Sequence, residues 1–163
     1  MTEHLPFAYE GGCTCRAIRY RLLTQPLIVH CCHCRWCQRE TGSAFALNAV
    51  IEAERLVTLA GAPESVSTPS NSGKGQTIWR CPECRVAVWS NYAGNGRAVV
   101  FLRVGTLDDA SVLPPDIHIF TASKLPWVVL PESTPAVPEY YRASEYWRAE
   151  SLERRAALRA RAT

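Results

Sequence analysis

Residues 31–37 read CCHCRWC, so four thiols and one imidazole fall within seven positions. Four more cysteines lie outside this segment, as the C-x-C pair Cys13 and Cys15 and the C-x-x-C pair Cys81 and Cys84. Thiolates and imidazoles are the donors that Zn²⁺ takes in proteins. The pattern therefore predicts a fold in which metal ions join cysteine groups that are distant in the sequence.

The composition is typical of a globular domain, with 47% hydrophobic and 20% charged residues in a chain of 163. No apolar run is long enough to cross a bilayer. The first residues, MTEHLPFAYEGG, include acidic side chains and lack the apolar core of a secretory signal. We therefore expect a cytoplasmic protein, in which cysteines serve as metal ligands or catalytic thiols more often than as disulfides.

The formal net charge of +3 is unevenly distributed. From residue 139 onward there are six Arg and four Glu, whereas the rest of the chain carries 12 basic and 11 acidic residues. Such a balanced body offers no phosphate-binding face, so we do not expect nucleic-acid binding beyond an effect of the tail.

Short runs of β-forming residues, separated by Gly, Pro, Asn and Ser, predict a mainly β domain. The predicted strands are 16–23, 27–30, 44–51, 56–59, 76–80, 86–90, 98–104, 117–121 and 128–130. Residues 65–75 form a polar stretch that we expect to be a mobile loop. Residues 131–138 predict an extended spacer, and 139–162 predict a C-terminal helix docked on the domain or on a partner subunit.

The cysteine count predicts two unequal sites. Neither cysteine pair can fill a tetrahedral site alone, but together they supply the four thiolates of a closed structural zinc. That site would clip the N-terminal strand to a hairpin near residue 81 and stabilise a small β domain. The cysteines left over have C-x-C-x-x-C spacing and give three thiolates with an open position, namely Cys32, Cys34 and Cys37.

Three alternatives stay open at this point. The eight cysteines could form disulfides. The CPEC segment, residues 81–84, could be a redox pair, although the strand-like VAVW after it favours a zinc knuckle. One ion could also take four ligands from the cluster by using Cys31 or His33, although His33 would point away from the metal in extended backbone. Cys31 is otherwise expected to be a buried core residue, and His118 is not predicted to be a ligand.

Several motifs in order resemble the glutathione-dependent formaldehyde-activating enzyme (GFA, or CENP-V/GFA) family, whose fold is similar to that of Mss4. They are GGCTCRAIRY, CCHCRWCQRETGSAF, CPECRVAVW, VGTLDD and HIFTASKLPW. The resemblance implies a mainly β, Mss4-like β-tent of antiparallel sheets with zinc knuckles, here followed by the C-terminal helix. It divides the chain into a lead-in (1–10), a GFA-like domain (11–131), and a Pro-containing spacer with an Arg-rich helix or tail (132–163).

The resemblance also implies the metals and the reaction. Two zinc ions are expected per chain: a structural one at the four paired cysteines, and a catalytic one, not necessarily at full occupancy, at the other three. A three-thiolate zinc carries a formal charge of −1 and suits an incoming thiol better than water. The implied activity is that of a carbon–sulfur lyase, which reversibly adds glutathione or a similar thiol to formaldehyde or a related small aldehyde. A non-catalytic zinc-binding or protein-interaction module, or a glutathione carrier, is the alternative, and the C-terminal helix could form a homo-oligomer.

Two positions depart from the family pattern. Members usually have glycine after each cysteine pair, where this chain has Arg16 and Arg85. Glycine permits the positive φ that other residues resist, so we expect the structural site to be slightly reshaped.

Five further residues are candidates for substrate binding. The backbone N–H groups and hydroxyls of Thr41, Gly42 and Ser43 could bind a carboxylate or a developing oxyanion, although a turn or helix end is an equal explanation. Lys124 could pair with a glutathione carboxylate, although a solvated lysine is an equal explanation. Trp127 could form a wall of the site, although such a residue more often lies in a core.

Overall fold

Ten strands in two sheets form the domain in the computed structural model, which describes residues 8–162. The smaller sheet has the order β1-β2-β5 and is antiparallel. Its strands are β1 (Tyr9–Gly12), β2 (Arg19–Leu22) and β5 (Leu56–Ala60). This sheet carries the first cysteine pair, because Cys13 directly follows β1.

The larger sheet has the order β10-β3-β4-β9-β8-β7-β6. Its strands are β3 (Ile28–Cys32), β4 (Ala46–Glu52), β6 (Glu64–Thr68), β7 (Gln76–Arg80), β8 (Ala87–Tyr92), β9 (Val99–Arg103) and β10 (Ile117–Ile119). Each pairing in this sheet is antiparallel except that of β10 with β3, which is parallel. The second cysteine pair lies in the turn between β7 and β8.

The centre of the larger sheet is buried on both faces. Successive strand residues point to opposite faces, and along β4 Ala49 and Ile51 join one hydrophobic cluster, whereas Val50 joins another. The first cluster lies against the smaller sheet and contains Tyr20 and Leu22. Strand β3 is buried along its whole length, so side chains on both of its faces lie inside the protein.

The described chain also contains three α-helices: α1 (Arg35–Thr41), α2 (Ala143–Tyr146) and α3 (Ala149–Arg161). Cys34 is the N-cap of α1, and Gly42 ends it in the left-handed conformation, with φ of 64°. The mainly β class with a C-terminal helix is thus confirmed. Helix α3 docks on its own domain through Arg154, which donates hydrogen bonds to both carboxylate oxygens of Glu52.

The extended spacer lies along the edge strand β10. The N–H of His118 donates to the carbonyl of Pro135, and the N–H of Val137 donates to the carbonyl of His118. These two bonds make a short parallel bridge between His118 and Ala136. The spacer therefore covers the edge of the sheet and fixes the backbone of His118.

Several sequence predictions are wrong in detail. Residues 64–68 form β6 inside the stretch predicted to be a loop, because Glu64–Thr68 pairs with β7. The predicted strand at 128–130 is not formed, since Pro126 and Pro131 flank it and Val129 is 89% exposed. Strand β10 ends at residue 119 because Phe120 adopts a φ of 55°. Strand β1 and helix α1 were not predicted.

Within residues 8–162, no helix has the length and apolar character needed to cross a membrane.

Candidate metal centres and substrate pocket

The four cysteines of the two pairs meet at one point. Their sulfur atoms lie within 4.8 Å of one another, with Cys13 and Cys15 Sγ 3.5 Å apart and Cys15 and Cys81 Sγ 3.6 Å apart. Tetrahedral ligation with Zn–S bonds of about 2.3 Å places sulfurs about 3.8 Å apart. All eight cysteines are free thiols, so the disulfide alternative is wrong in this structure. The four thiols fit a tetrahedral thiophilic cation.

Two arginines adopt the left-handed backbone conformation that glycine usually adopts in such turns. Arg16 has a φ of 66° and Arg85 a φ of 64°. Their N–H groups donate to the carbonyls of Cys13 and Cys81, at 3.1 and 3.0 Å. Each knuckle therefore retains the left-handed residue, and the expected reshaping is not seen in the backbone here. The cost is strain at two non-glycine residues, of about 1 to 2 kcal/mol each.

Backbone donors also prepare these cysteines for metal binding. The N–H of Ile18 donates to Cys13 Sγ at 3.3 Å. Hydrogen bonds from the backbone of Cys15 and of Val86 lower the pKa of Cys84 to about 6. A thiolate, not a thiol, binds a metal, so these contacts favour the binding form of the side chain.

The second cluster lies where β3 passes into α1. Cys32 is the last residue of β3, Cys34 caps α1, and Cys37 lies in its first turn. Their sulfurs lie within 4.8 Å of one another, and all three side chains are buried. The N–H of Cys37 donates to Cys34 Sγ at 3.3 Å, so the helix start itself holds the sulfurs together.

The second cluster favours one thiolate among its three sulfurs. Hydrogen bonds from Cys32 and Cys37 hold the pKa of Cys34 well below the ordinary value of a thiol. Hydrogen bonds with Cys34 and Cys37 raise the pKa of Cys32, and the burial of its side chain raises this pKa further. Crowded thiols of this kind need a cation before all three can ionise.

In the described part of the chain, no further His, Cys, Asp or Glu joins this cluster. Cys31 and His33 alternate with Cys32 and Cys34, and they point to the other face of β3. There they meet His118: the three donor atoms lie within 4.8 Å of one another. The alternative in which one ion takes Cys31 or His33 as a fourth ligand is therefore wrong.

A cavity of about 410 Å³ opens over the second cluster. Its volume is in the range of small-molecule sites. The three cysteines line one side. Aromatic side chains form much of the wall, from Trp36, Tyr92, Phe101, Phe120 and Tyr140. Polar side chains complete it, from His30, Asn48, Ser70, Asn71, Ser72, Lys74, Gln76 and Asn95.

Apart from the thiols of the second cluster, the charged groups near the cavity are few and positive. Lys74 is the one Lys or Arg among the lining residues, while burial lowers the pKa of His30 to about 4 and leaves it neutral. A neighbouring cavity of about 260 Å³ shares His30 and Tyr140 with the first and adds Arg155 and Arg159 of α3. The site is therefore suited to an anion.

A buried arginine lies beside the second cluster. Arg103 donates a hydrogen bond to Asn48 Oδ1 at 2.9 Å and acts electrostatically on Cys37. Arg103 was not predicted from the sequence, although an Arg at the end of an apolar strand was a usable signal. Its charge opposes the negative charge of the thiolates.

None of the five predicted substrate residues lines the cavity. Thr41, Gly42 and Ser43 form the end of α1, where the Thr41 hydroxyl donates to the carbonyl of Cys37 at 2.8 Å. The Lys124 ammonium donates to the carbonyls of Leu125 and Val128, and Trp127 is 71% exposed. The turn at 41–43 is thus a helix end, which was the alternative given for it. Apart from the three cysteines, the residues that line the cavity come from segments that are distant in the sequence, so they were not predicted as site residues. The polar stretch 65–75, which is rich in Ser and Asn, was the one sequence feature that indicated some of them.

The fold and the two clusters define a class: a mainly β protein with a closed four-thiol group and a three-thiol group that faces a cavity. The chain belongs to the GFA family, because residues 8–123 match the model of that family, described as glutathione-dependent formaldehyde-activating enzyme.

Two individual proteins are similar to the chain. A Halomonas elongata protein, named provisionally as a glutathione-dependent formaldehyde-activating enzyme, is 26% identical over 124 residues, which cover 73% of this chain and 78% of that protein. A Rhodobacter sphaeroides protein of known crystal structure is 17% identical, with a TM-score of 0.48 over 78% of this chain and 99% of that chain.

Proposed function

We propose that this protein is a zinc-dependent carbon–sulfur lyase that reversibly adds glutathione, or a similar thiol, to formaldehyde or a related small aldehyde. The product is S-(hydroxymethyl)glutathione. The observation that carries the proposal is that three buried thiols border a ligand-sized cavity and have no fourth side-chain partner among residues 8–162. Membership of the GFA family supports the choice of thiol and aldehyde.

The two thiol clusters divide the metal chemistry between them. The closed group of Cys13, Cys15, Cys81 and Cys84 would hold a structural zinc, and Cys32, Cys34 and Cys37 would hold the catalytic one. When bound, a three-thiolate zinc supplies an open position that binds a thiol and favours its thiolate form. Arg103 offsets the negative charge that the sulfurs carry, so the ionised cluster can persist in a buried place.

Charge complementarity supports glutathione as the thiol. Glutathione has two carboxylates and one ammonium group at neutral pH, so it is a net anion. Lys74 faces the cavity, and Arg155 and Arg159 face the adjoining one. Two of these three cations can pair with the two carboxylates while the thiol end reaches the cysteines.

Asn48 and three aromatic side chains would place the aldehyde. In the forward direction a C–S bond forms, the C=O π bond breaks, and the proton lost by the thiol ends on the new hydroxyl. The Oδ1 of Asn48 accepts from Arg103, which leaves its NH₂ group free to donate toward the aldehyde oxygen. Trp36, Phe101 and Tyr92 exclude water around the reacting carbon.

Exchange NMR tests the proposal by measuring how fast glutathione, formaldehyde and S-(hydroxymethyl)glutathione interconvert at equilibrium. Zinc-loaded wild-type protein should increase the exchange rate in proportion to its concentration. Cys34→Ala should abolish the increase, and Val129→Ala, at an exposed site far from the cysteines in the sequence, should retain it. No increase with the wild-type protein would overturn the lyase assignment. Glutathione binding without any increase would identify a carrier instead.

A further inference from the structure

The third group of donors is separate from both proposed zinc sites. Cys31, His33 and His118, here called the Cys-His-His cluster, lie on the face of β3 opposite Cys32 and Cys34. Two features of the fold bring them together: Cys31 and His33 are two residues apart in extended backbone, and Cys31 is the register partner of His118 in the parallel pairing of β3 with β10. Neither Cys31 nor His33 lines the cavity.

The distances within the Cys-His-His cluster match metal ligation. Cys31 Sγ lies 3.5 Å from His33 Nε2, and His33 Nε2 lies 3.0 Å from His118 Nδ1. A tetrahedral ion with bonds of about 2.3 Å to sulfur and about 2.05 Å to nitrogen separates S and N by about 3.6 Å and two N atoms by about 3.3 Å. The two observed spacings are within about 0.3 Å of these values, and the third, between the donor atoms of Cys31 and His118, is below 4.8 Å.

Burial determines the charge that the cluster can accept. All three residues are buried, and a metal ion binds cysteine as the thiolate and histidine as the neutral imidazole. One thiolate and two neutral imidazoles carry a charge of −1. A monovalent cation makes this group neutral, whereas a divalent cation leaves a buried charge of +1.

We propose that Cys31, His33 and His118 form a third metal site, which takes a thiophilic d¹⁰ cation and prefers Cu⁺ to Zn²⁺. Thiolate sulfur selects Cu⁺, and imidazole suits both ions. Binding forms one metal–sulfur and two metal–nitrogen bonds, and the thiol proton of Cys31 goes to solvent. The half-exposed ring of Phe45 packs edge-on against His33, so one side chain separates the cluster from water on that side.

The uptake of Cu⁺ by zinc-loaded protein tests this site. Cu⁺ is supplied from a chromophoric chelator of known affinity, and bound copper and released zinc are measured together. The wild-type protein should take one Cu⁺ per chain without releasing zinc. Cys31→Ser and His118→Gln should each lower the Cu⁺ affinity at least tenfold while both zinc ions stay bound, which also shows that each variant is folded.

Two results would overturn the third site: copper uptake that releases one zinc per copper, or uptake that neither substitution changes. X-ray absorption at the copper edge of the wild-type protein decides the matter even if both variants unfold. One sulfur and two nitrogen neighbours are expected, and three or four sulfurs would place the copper in a thiol cluster. A third zinc that Cys31→Ser removes would support the site and overturn only its preference for Cu⁺.

Discussion

Arg154 clamps the carboxylate of Glu52, with its Nε and Nη2 atoms 2.8 and 2.5 Å from the two oxygens. Both side chains are nearly buried, with exposed fractions of 10% and 2%. The pair joins α3 to the end of β4, the strand that also carries Asn48. Helix α3 lies outside residues 8–123, which match the family, yet it supplies Arg155 and Arg159 to the cavity that adjoins the cysteines. This buried ion pair thus helps to attach an element outside the family match to the site.

Removal of Arg154 should destabilise the fold strongly. Arg154→Ala leaves the buried carboxylate of Glu52 without its main partner, and the expected loss is about 3 kcal/mol in the free energy of unfolding. Arg161→Ala is the matched control, because its pair with Glu54 is exposed and is expected to contribute less than about 1 kcal/mol. Urea denaturation measures both. Equal losses in the two variants would contradict a special role for the buried pair.

The contribution of the Arg154–Glu52 pair should disappear in acid. Burial raises the pKa of Glu52, but hydrogen bonds from Arg154 outweigh this and the net shift is downward. The stabilisation is therefore complete above the ordinary Glu pKa of about 4.3 and is lost as the pH falls through the lower folded value. The difference in unfolding free energy between wild-type protein and Arg154→Ala should therefore shrink as the pH falls from about 6 to about 3, an interval that spans the ordinary Glu pKa of about 4.3. A constant difference over this interval would refute the linkage.

Glycine at position 16 should stabilise the protein. Arg16 is exposed and holds a φ of 66°, a conformation that costs most residues about 1 to 2 kcal/mol. Arg16→Gly removes this strain and should raise the free energy of unfolding by about 1 kcal/mol, after the larger entropy of the unfolded glycine chain is subtracted. Arg16→Ala keeps the strain and loses the same side chain, so it should give no gain. Calorimetric melting of the zinc-loaded proteins distinguishes the two.

Lys74 should bind substrate, and Lys124 should not. Lys74→Gln removes the ammonium group of a residue that lines the cavity, and we expect the dissociation constant of glutathione to rise about tenfold, which corresponds to about 1.4 kcal/mol. Lys124→Gln is the matched change at a lysine whose ammonium donates to two backbone carbonyls, and it should leave glutathione affinity nearly unchanged. Fluorescence or calorimetric titration gives both constants. A larger loss of glutathione affinity in Lys124→Gln than in Lys74→Gln would instead support Lys124 as the substrate-binding lysine, as the sequence predicted.

The cysteine arrangement could be predicted because ligand chemistry is local. The spacing of Cys32, Cys34 and Cys37 requires only that a strand passes into a turn, and the alternation of Cys31 with Cys32 follows from extended backbone. Helix α1 could also have been predicted from the sequence, because Gly42 follows a run of helix-forming residues and glycine is common just after a helix end.

The cavity could not be predicted, because its walls come from segments that only the tertiary fold brings together. Lys74, Asn95 and Tyr140 lie far apart in the sequence, and each has an ordinary loop context. The role of His118 depended in the same way on the parallel register that places it beside Cys31. Strand pairing of this kind is set by long-range packing and leaves no local pattern.

The central claim is that the three-cysteine cluster keeps a place for the sulfur of an incoming thiol. Calorimetric titration of the zinc-loaded protein with glutathione and with S-methylglutathione, in two buffers of different ionisation enthalpy, measures this most directly. Glutathione should bind more tightly and release close to one proton per molecule, whereas S-methylglutathione should release none, and Cys34→Ser should remove the difference. Equal affinity and equal proton release for the two ligands would contradict the claim.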